Sequence, residues 1–293
     1  MKFAGAAAAS LGLSQTDLIK VEQAFASSEQ PPVLWLSGSA CTGCSVSLMN
    51  AVNPTIDSVL LNTICLQYHT TLMGAAGDLA VTSALSTSQK GGHILVVEGG
   101  IPTASGGKYA YVWEEAGRPV TVAEAVTKLA ANASYVIAAG TCASFGGVPA
   151  ANPTPGVKSL GDFLGRRVVN LAGCAPHPDW MIGTLVKILA GTPPALDAYG
   201  RPTDYYKPMP IHERCPRRMR PQATRFAQDG LCVIQLGCKG PLANADCETR
   251  NWNNKQNWCI GANGLCIGCV EPDFPAFPLH SKNTHMIGEQ GGV

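Results

Sequence analysis

Twelve cysteines are present among the 293 residues, and most of them lie in short-spaced groups in the second half of the chain. A disulfide scaffold is usually a short chain with more than about 8% cysteine, a fraction that this chain does not reach. Thiolates in short-spaced groups are typical of metal binding. The cysteines therefore predict several metal sites.

The first group combines Cys41-x-x-Cys44 with Cys142 and Cys174, and each of its segments directly follows a predicted strand. Glycines surround these residues, so backbone N–H groups can donate to the sulfurs of a cluster. Four converging thiolates suit a 4Fe–4S cluster, although a structural zinc ion takes the same four ligands.

The second group combines His212-x-x-Cys215 with Cys232 and Cys238. One imidazole with three thiolates is a ligand set for zinc or for an unusual iron–sulfur cluster. The spacing of these residues does not decide between the two metals.

The third group contains Cys247, Cys259, Cys266 and Cys269, and Pro272 follows its C-x-x-C pair as in ferredoxins. Together the groups use eleven thiolates and leave Cys65, which we expect to be a small buried thiol in an apolar strand. Three four-ligand sites, without an obvious catalytic acid, base or substrate loop, predict a redox relay.

Alternating strands and helices must position the first group. Apolar, β-branched runs predict strands at 33–36, 59–66, 93–97, 135–139 and 167–171, and helices are expected from 47, over 78–86 and over 122–131. This alternation predicts an α/β fold with a parallel sheet, whose ligands bind beyond the carboxyl ends of the strands.

Three regions follow from these patterns. Residues 31–191 form the predicted parallel-sheet domain, and residues 192–293, rich in Pro and Arg, form an irregular domain that metal sites would cross-link. Residues 1–30 are a tail whose apolar segment and Ala24-Phe25-Ala26 sequence fit either the remnant of an export signal or an Ala-rich helix.

The composition restricts the partners of the chain. A net charge of +1 gives no reason to expect nucleic-acid binding, and no apolar run approaches the roughly 20 residues of a transmembrane helix. Charged residues make up only 14% of the chain. This low fraction predicts a surface covered by another protein.

Seven motifs, occurring in this order between about Pro31 and Pro275, resemble the nickel–iron hydrogenase small subunit family. They are WLSGSACTGCSVSLMNA, VEGGIPT, GTCASFGGVPAA, GCAPHPDWMIGTL, IHERCP, LGCKGPLANADC and NWCIGANGLCIGCVEPDFP. The resemblance implies a flavodoxin-like domain with a proximal cluster, followed by an irregular domain with a medial and a distal cluster. It also disfavours zinc at the second group.

The resemblance assigns a ligand set to each cluster. The proximal ligands are Cys41, Cys44, Cys142 and Cys174; the distal ligands are His212, Cys215, Cys232 and Cys238; the medial ligands are Cys247, Cys266 and Cys269. Many family members have Pro at the position of Cys259 and a 3Fe–4S medial cluster. A fourth thiolate here implies a third 4Fe–4S cluster, as in the selenium-containing branch.

The resemblance further implies a heteromer in which a large subunit holds the nickel–iron centre and converts hydrogen into protons and electrons. This chain would pass the electrons to a soluble or membrane-bound carrier, expected to be acidic. The expected location is the periplasm, with the cytoplasm as the alternative. Oxygen-tolerant members have extra thiols at the positions of Gly43 and Gly147, so that protection is absent here.

Three rival interpretations are a free ferredoxin-like carrier, a zinc-stabilised scaffold and the cluster-bearing subunit of respiratory complex I, which lacks the long C-terminal domain. Two further residues near the first group have two interpretations each. Glu98 is a solvated or capping carboxylate, or it relays protons or bonds to the partner subunit. His177 has a structural role in a Pro-rich turn, or it donates to the cluster or the partner. We assign no role to His69 or His93.

Overall fold

A computed structural model describes Ser14 and residues 31–275. The described residues divide into a compact unit that ends at Asp204 and a second one that begins at Tyr205. The expected domain boundary at residue 191 stays a prediction. The predicted export-signal remnant lies within residues 1–30, of which the structure describes only Ser14.

Five parallel strands form the central sheet of the first unit, in the order β2-β1-β3-β7-β9. The strands of this unit are β1 (Pro32–Ser37), β2 (Cys65–His69), β3 (Ile94–Glu98), β4 (Ile101–Pro102), β5 (Tyr111–Glu115), β6 (Arg118–Thr121), β7 (Tyr135–Ala139), β8 (Val157–Lys158) and β9 (Val169–Leu171). All five residues of β3 are buried. Such continuous apolar runs are typical of parallel strands covered on both faces.

Helices connect the strands of this unit. They are α1 (Gly43–Met49), α2 (Ile56–Asn62), α3 (Gly77–Lys90), α4 (Val122–Ala130), α5 (Thr141–Phe145), α6 (Gly147–Ala150), α7 (Leu160–Leu164) and α8 (Pro178–Leu189). A reciprocal capping box between Thr121 and Glu124 begins α4. The buried side of α4, including Val126 and Leu129, packs in the main core with Leu95 of β3. The predicted parallel α/β architecture is confirmed.

Two element predictions were wrong. The run 59–66 is not one strand, because residues 56–62 form α2 and the strand β2 begins only at Cys65. A short apolar run does not distinguish a helix from a strand, and only Val59 of α2 is buried. The helix expected from residue 47 begins at Gly43, inside the first C-x-x-C pair.

The second unit contains little regular structure between Tyr205 and Pro275. Its elements are α9 (Ile211–Arg214), α10 (Cys247–Arg250) and a 3-10 helix over Ile234–Leu236. Turns and loop-to-loop hydrogen bonds make up the rest, as predicted for an irregular domain. Among the helices described in either unit, none is both long and apolar enough to cross a membrane.

Candidate metal centres

The first group converges at one edge of the sheet. Cys41 and Cys44 follow β1, Cys142 lies in α5 directly after β7, and Cys174 follows β9. Because these strands are parallel, their carboxyl ends meet at the same edge. The four thiols lie near enough to act electrostatically on one another.

The backbone approaches these cysteines closely at three glycines. Gly140 has φ +86°, and a Cβ added to it would collide with the Cys44 Sγ atom. A Cβ at Gly43 would lie 3.1 Å from the Cys41 Sγ atom, and one at Gly147 would lie 2.9 Å from the Cys142 backbone nitrogen. Gly43 and Gly147 therefore border this site.

Burial disfavours the thiolate form of Cys44, Cys142 and Cys174. It raises the pKa of Cys44 well above its ordinary value, and the charges of Glu98 and the other three cysteines add to this effect. Burial also raises the pKa of Cys142 to about 11, with a further contribution from Cys174. Cations bound to these thiols would offset this cost, and their binding would release protons.

The third group converges in the second unit. Burial raises the pKa of Cys247 and of Cys266 well above the ordinary value, and each of these thiols is influenced by Cys259 and Cys269. Cys259 itself has a raised pKa because it is desolvated. Cys259 thus lies within electrostatic reach of Cys247 and Cys266.

The second group lies beside the third. Cys238 is electrostatically coupled to Cys215 and Cys232. Gly240 links it to His212, because the His212 N–H donates to the Gly240 carbonyl at 3.0 Å and the Gly240 N–H donates to the Cys238 Sγ atom at 3.4 Å. Burial lowers the pKa of His212, which favours the neutral, metal-binding imidazole.

The spacing of the donors bears on which metal they fit. Within residues 31–275, no three His, Cys, Asp or Glu side chains are placed so that they could hold a single metal ion. Zinc holds sulfur at about 2.3 Å in a tetrahedron, which requires closely packed thiolates. A 4Fe–4S cluster binds each thiolate through a different iron, so its ligands lie farther apart. The donors of these groups are thus spaced more widely than one zinc ion requires.

The remaining predicted residues have defined positions. Glu98 is buried rather than solvated, and it accepts the N–H of Cys44 in the first turn of α1 at 3.1 Å. His177 precedes α8, and its Nδ1 atom accepts the Asp179 N–H at 3.0 Å, which is a structural capping role. Cys65 is only half-buried, because it begins the edge strand β2.

Sequence reasoning assigned no role to His69, yet this residue lies within the polar network around Glu98. His69 ends β2 and Glu98 ends β3, so both occupy the carboxyl edge of the sheet near the first group. A polar residue at the end of an apolar strand was the available signal for both. For His69, this signal was hidden because the strand was predicted at residues 59–66, whereas β2 covers Cys65–His69.

Each of the two units matches a known family model. Residues 41–188 match the NADH ubiquinone oxidoreductase 20 kDa subunit family, and residues 206–279 match the C-terminal family of NiFe/NiFeSe hydrogenase small subunits. The first match lies within the sheet unit, and the second begins in the irregular unit.

Individual relatives agree with this assignment. The chain is 42% identical to the periplasmic [NiFeSe] hydrogenase small subunit of Desulfomicrobium baculatum, with 94% of each chain covered. It is 37% identical to the hydrogenase-2 small chain of Escherichia coli K12, covering 92% of this chain and 75% of the other. A solved structure of the D. baculatum [NiFeSe] hydrogenase matches with a TM-score of 0.82, over 87% of this chain and 100% of the other.

The cysteine groups, the parallel sheet and these similarities agree with one another. The chain belongs to the nickel–iron hydrogenase small subunit family, the electron-transfer subunits that act as a heteromer with a large hydrogenase subunit.

Proposed function

We propose that this chain holds three 4Fe–4S clusters and relays electrons between a nickel–iron centre in its large subunit and an external carrier. The convergence of eleven cysteines and His212 into three four-ligand groups supports this proposal. When bound, such clusters supply one-electron carriers. The proximal, medial and distal ligand sets are the first, third and second groups.

The medial group is proposed to hold a 4Fe–4S cluster rather than a 3Fe–4S cluster. Supporting this, the Cys259 thiol lies within electrostatic reach of Cys247 and Cys266. A Pro at this position offers no ligand, so one iron of the cluster would have no protein thiolate.

A direct backbone link supports electron passage between the medial and distal sites. The Lys239 N–H donates to the Cys266 carbonyl at 2.7 Å, and Lys239 directly follows Cys238. One hydrogen bond thus joins the residue after a proposed distal ligand to a proposed medial ligand. The charge of Cys238 also raises the pKa of Cys266, which indicates that the two sites are close.

The exit surface is proposed to lie around His212 and to bind an acidic carrier. Six basic residues occur between 207 and 225, but they are not equally available. Arg218 pairs with Glu213 at 2.8 Å, and Arg217 donates to Asn263 at 2.7 Å.

Two other arginines of this surface are better placed to meet a carrier. Arg220 and Arg225 are exposed, and among the described residues neither has an ion pair. Met219 and Phe226, at 90% and 60% exposure, add apolar area beside them. An acidic protein with an apolar contact patch would fit this surface.

We place the enzyme in the periplasm, because several of its relatives are named periplasmic hydrogenases. The carrier would then be periplasmic or bound to the membrane through another subunit.

The first prediction concerns Gly140. Gly140→Ala should remove up to one cluster, or about four irons per chain, because the new Cβ collides with the Cys44 Sγ atom. Iron is measured in the purified heteromer. Gly165→Ala is the matched control: Gly165 has φ +61° and nothing within 4 Å of an added Cβ, so the iron content should be unchanged. Equal losses in both variants would contradict this explanation.

The second prediction concerns Cys259. Cys259→Pro should give an oxidised sample with a strong 3Fe–4S paramagnetic signal and a raised medial potential, because one iron loses its thiolate. Electron paramagnetic resonance of the as-isolated protein measures this change. Cys65→Ala should produce no such signal, since Cys65 belongs to none of the three groups. A strong 3Fe–4S signal in the intact, unmodified protein would disprove the 4Fe–4S assignment.

The third prediction concerns the exit surface. Reversing Arg220 and Arg225 to Glu should slow reduction of the native carrier at low salt, and the difference should shrink as the Debye length falls from about 10 Å at 0.1 M to about 3 Å at 1 M. Turnover with a small neutral dye should not change. Reversing the exposed Lys90 and Lys108 to Glu is the control, because it makes the same change in charge on another part of the surface. An equal effect of both double reversals on carrier reduction would exclude a local docking surface.

A further inference from the structure

A buried carboxylate lies next to the proximal ligands. Glu98 ends the central strand β3 and is only 1% exposed. Its Oε1 atom accepts the Cys44 N–H at 3.1 Å, and its Oε2 atom accepts the Trp35 Nε1–H at 3.0 Å and the Ser45 hydroxyl. Each of these three partners is a donor, which is the environment of an ionised carboxylate.

His69 extends this arrangement without adding a positive charge. Its Nδ1 atom accepts the N–H groups of Thr71 and Leu72 at 3.1 and 3.2 Å, so the ring proton lies on Nε2. Nε2 lies 3.3 Å from the Ser45 Oγ atom, to which it donates. Burial lowers the pKa of His69 to about 4, so the ring is neutral at pH 7.

Trp35 fixes the position of both ends of this network. Its indole ring stacks on His69 with 5.4 Å between ring centroids, and its N–H binds Glu98. Among residues 31–275, no Lys or Arg forms an ion pair with Glu98. The network thus holds one negative charge with neutral donors only, in a buried region where charges interact strongly.

This charge has two effects on the reduction potential of the proximal site, and both lower it. Adding an electron beside a fixed negative charge is less favourable than adding it elsewhere. In addition, the Cys44 N–H is directed at Glu98 and is not available to a cluster sulfur, and N–H bonds to the sulfurs are one of the factors that set cluster potentials.

We propose that Glu98, held by Trp35 and Ser45, is a positioning residue that lowers the reduction potential of the proximal site. It does so by orienting the Cys44 N–H and by placing a negative charge beside the site. This inference rests on the proposed function, in which Cys44 is a proximal ligand. It assigns a redox-tuning role to a residue that binds no metal.

The test is a redox titration of the purified heteromer, followed by electron paramagnetic resonance. Glu98→Gln removes the charge with little change in shape. The proximal potential should rise by about 59 mV or more, which is a tenfold change in a one-electron equilibrium. The medial and distal potentials, measured in the same sample, are the internal control and should not move.

A second variant distinguishes redox tuning from a merely structural role by the direction in which the proximal potential changes. Ser45→Ala removes a donor that partly offsets the carboxylate charge, so the proximal potential should fall. Damage to the site would move both variants in the same direction. Ser45→Ala alone also decides the question if Glu98→Gln does not assemble, because an unchanged or raised potential in Ser45→Ala overturns the proposal.

Iron content separates this inference from the proposed function. If the unmodified heteromer contains no proximal cluster, the proposed function fails. If all clusters are present and the proximal potential of Glu98→Gln equals that of the unmodified protein, only the role of Glu98 is wrong.

Discussion

The burial of many thiols in three small volumes is the constraint on which this structure depends. Desolvation raises the pKa of Cys44, Cys247 and Cys266 far above the ordinary value, so these groups cannot all be thiolates without compensating positive charge. In the proposed function the irons of the clusters supply that charge, and their binding free energy becomes part of the folding free energy. The fold around each group serves to converge the sulfurs.

The two units achieve this convergence by different means. In the first unit, the parallel strands β1, β7 and β9 bring three separated segments to one edge, and Gly140 allows the backbone to approach Cys44 closely. In the second unit, loops are joined by short hydrogen-bonded bridges: the Ala223 N–H donates to the Cys232 carbonyl at 2.7 Å, and the Cys232 N–H donates to the Pro221 carbonyl at 3.0 Å. So few regular elements leave the loops with little regular backbone pairing, and the proposed clusters would provide further cross-links.

The sequence was most informative where one residue type carries the chemistry. Cysteine spacing predicted the three groups, and the apolar runs predicted β1, β3 and β7 because fully buried strands have an unmistakable composition. The run 59–66 was misassigned because short apolar segments suit either a helix or a strand. The network of His69, Ser45 and Trp35 was not predicted, since it depends on side chains from β1, α1 and β2 that meet only in the folded chain.

The most direct test of this account is the quantity of acid-labile sulfide, iron and zinc in the purified heteromer. Inorganic sulfide is specific to the clusters, whereas iron is also present in the large subunit. We expect about twelve sulfides per heteromer, with about twelve irons beyond those of the large subunit, if each group holds a cubane. Stoichiometric zinc with no labile sulfide would contradict it.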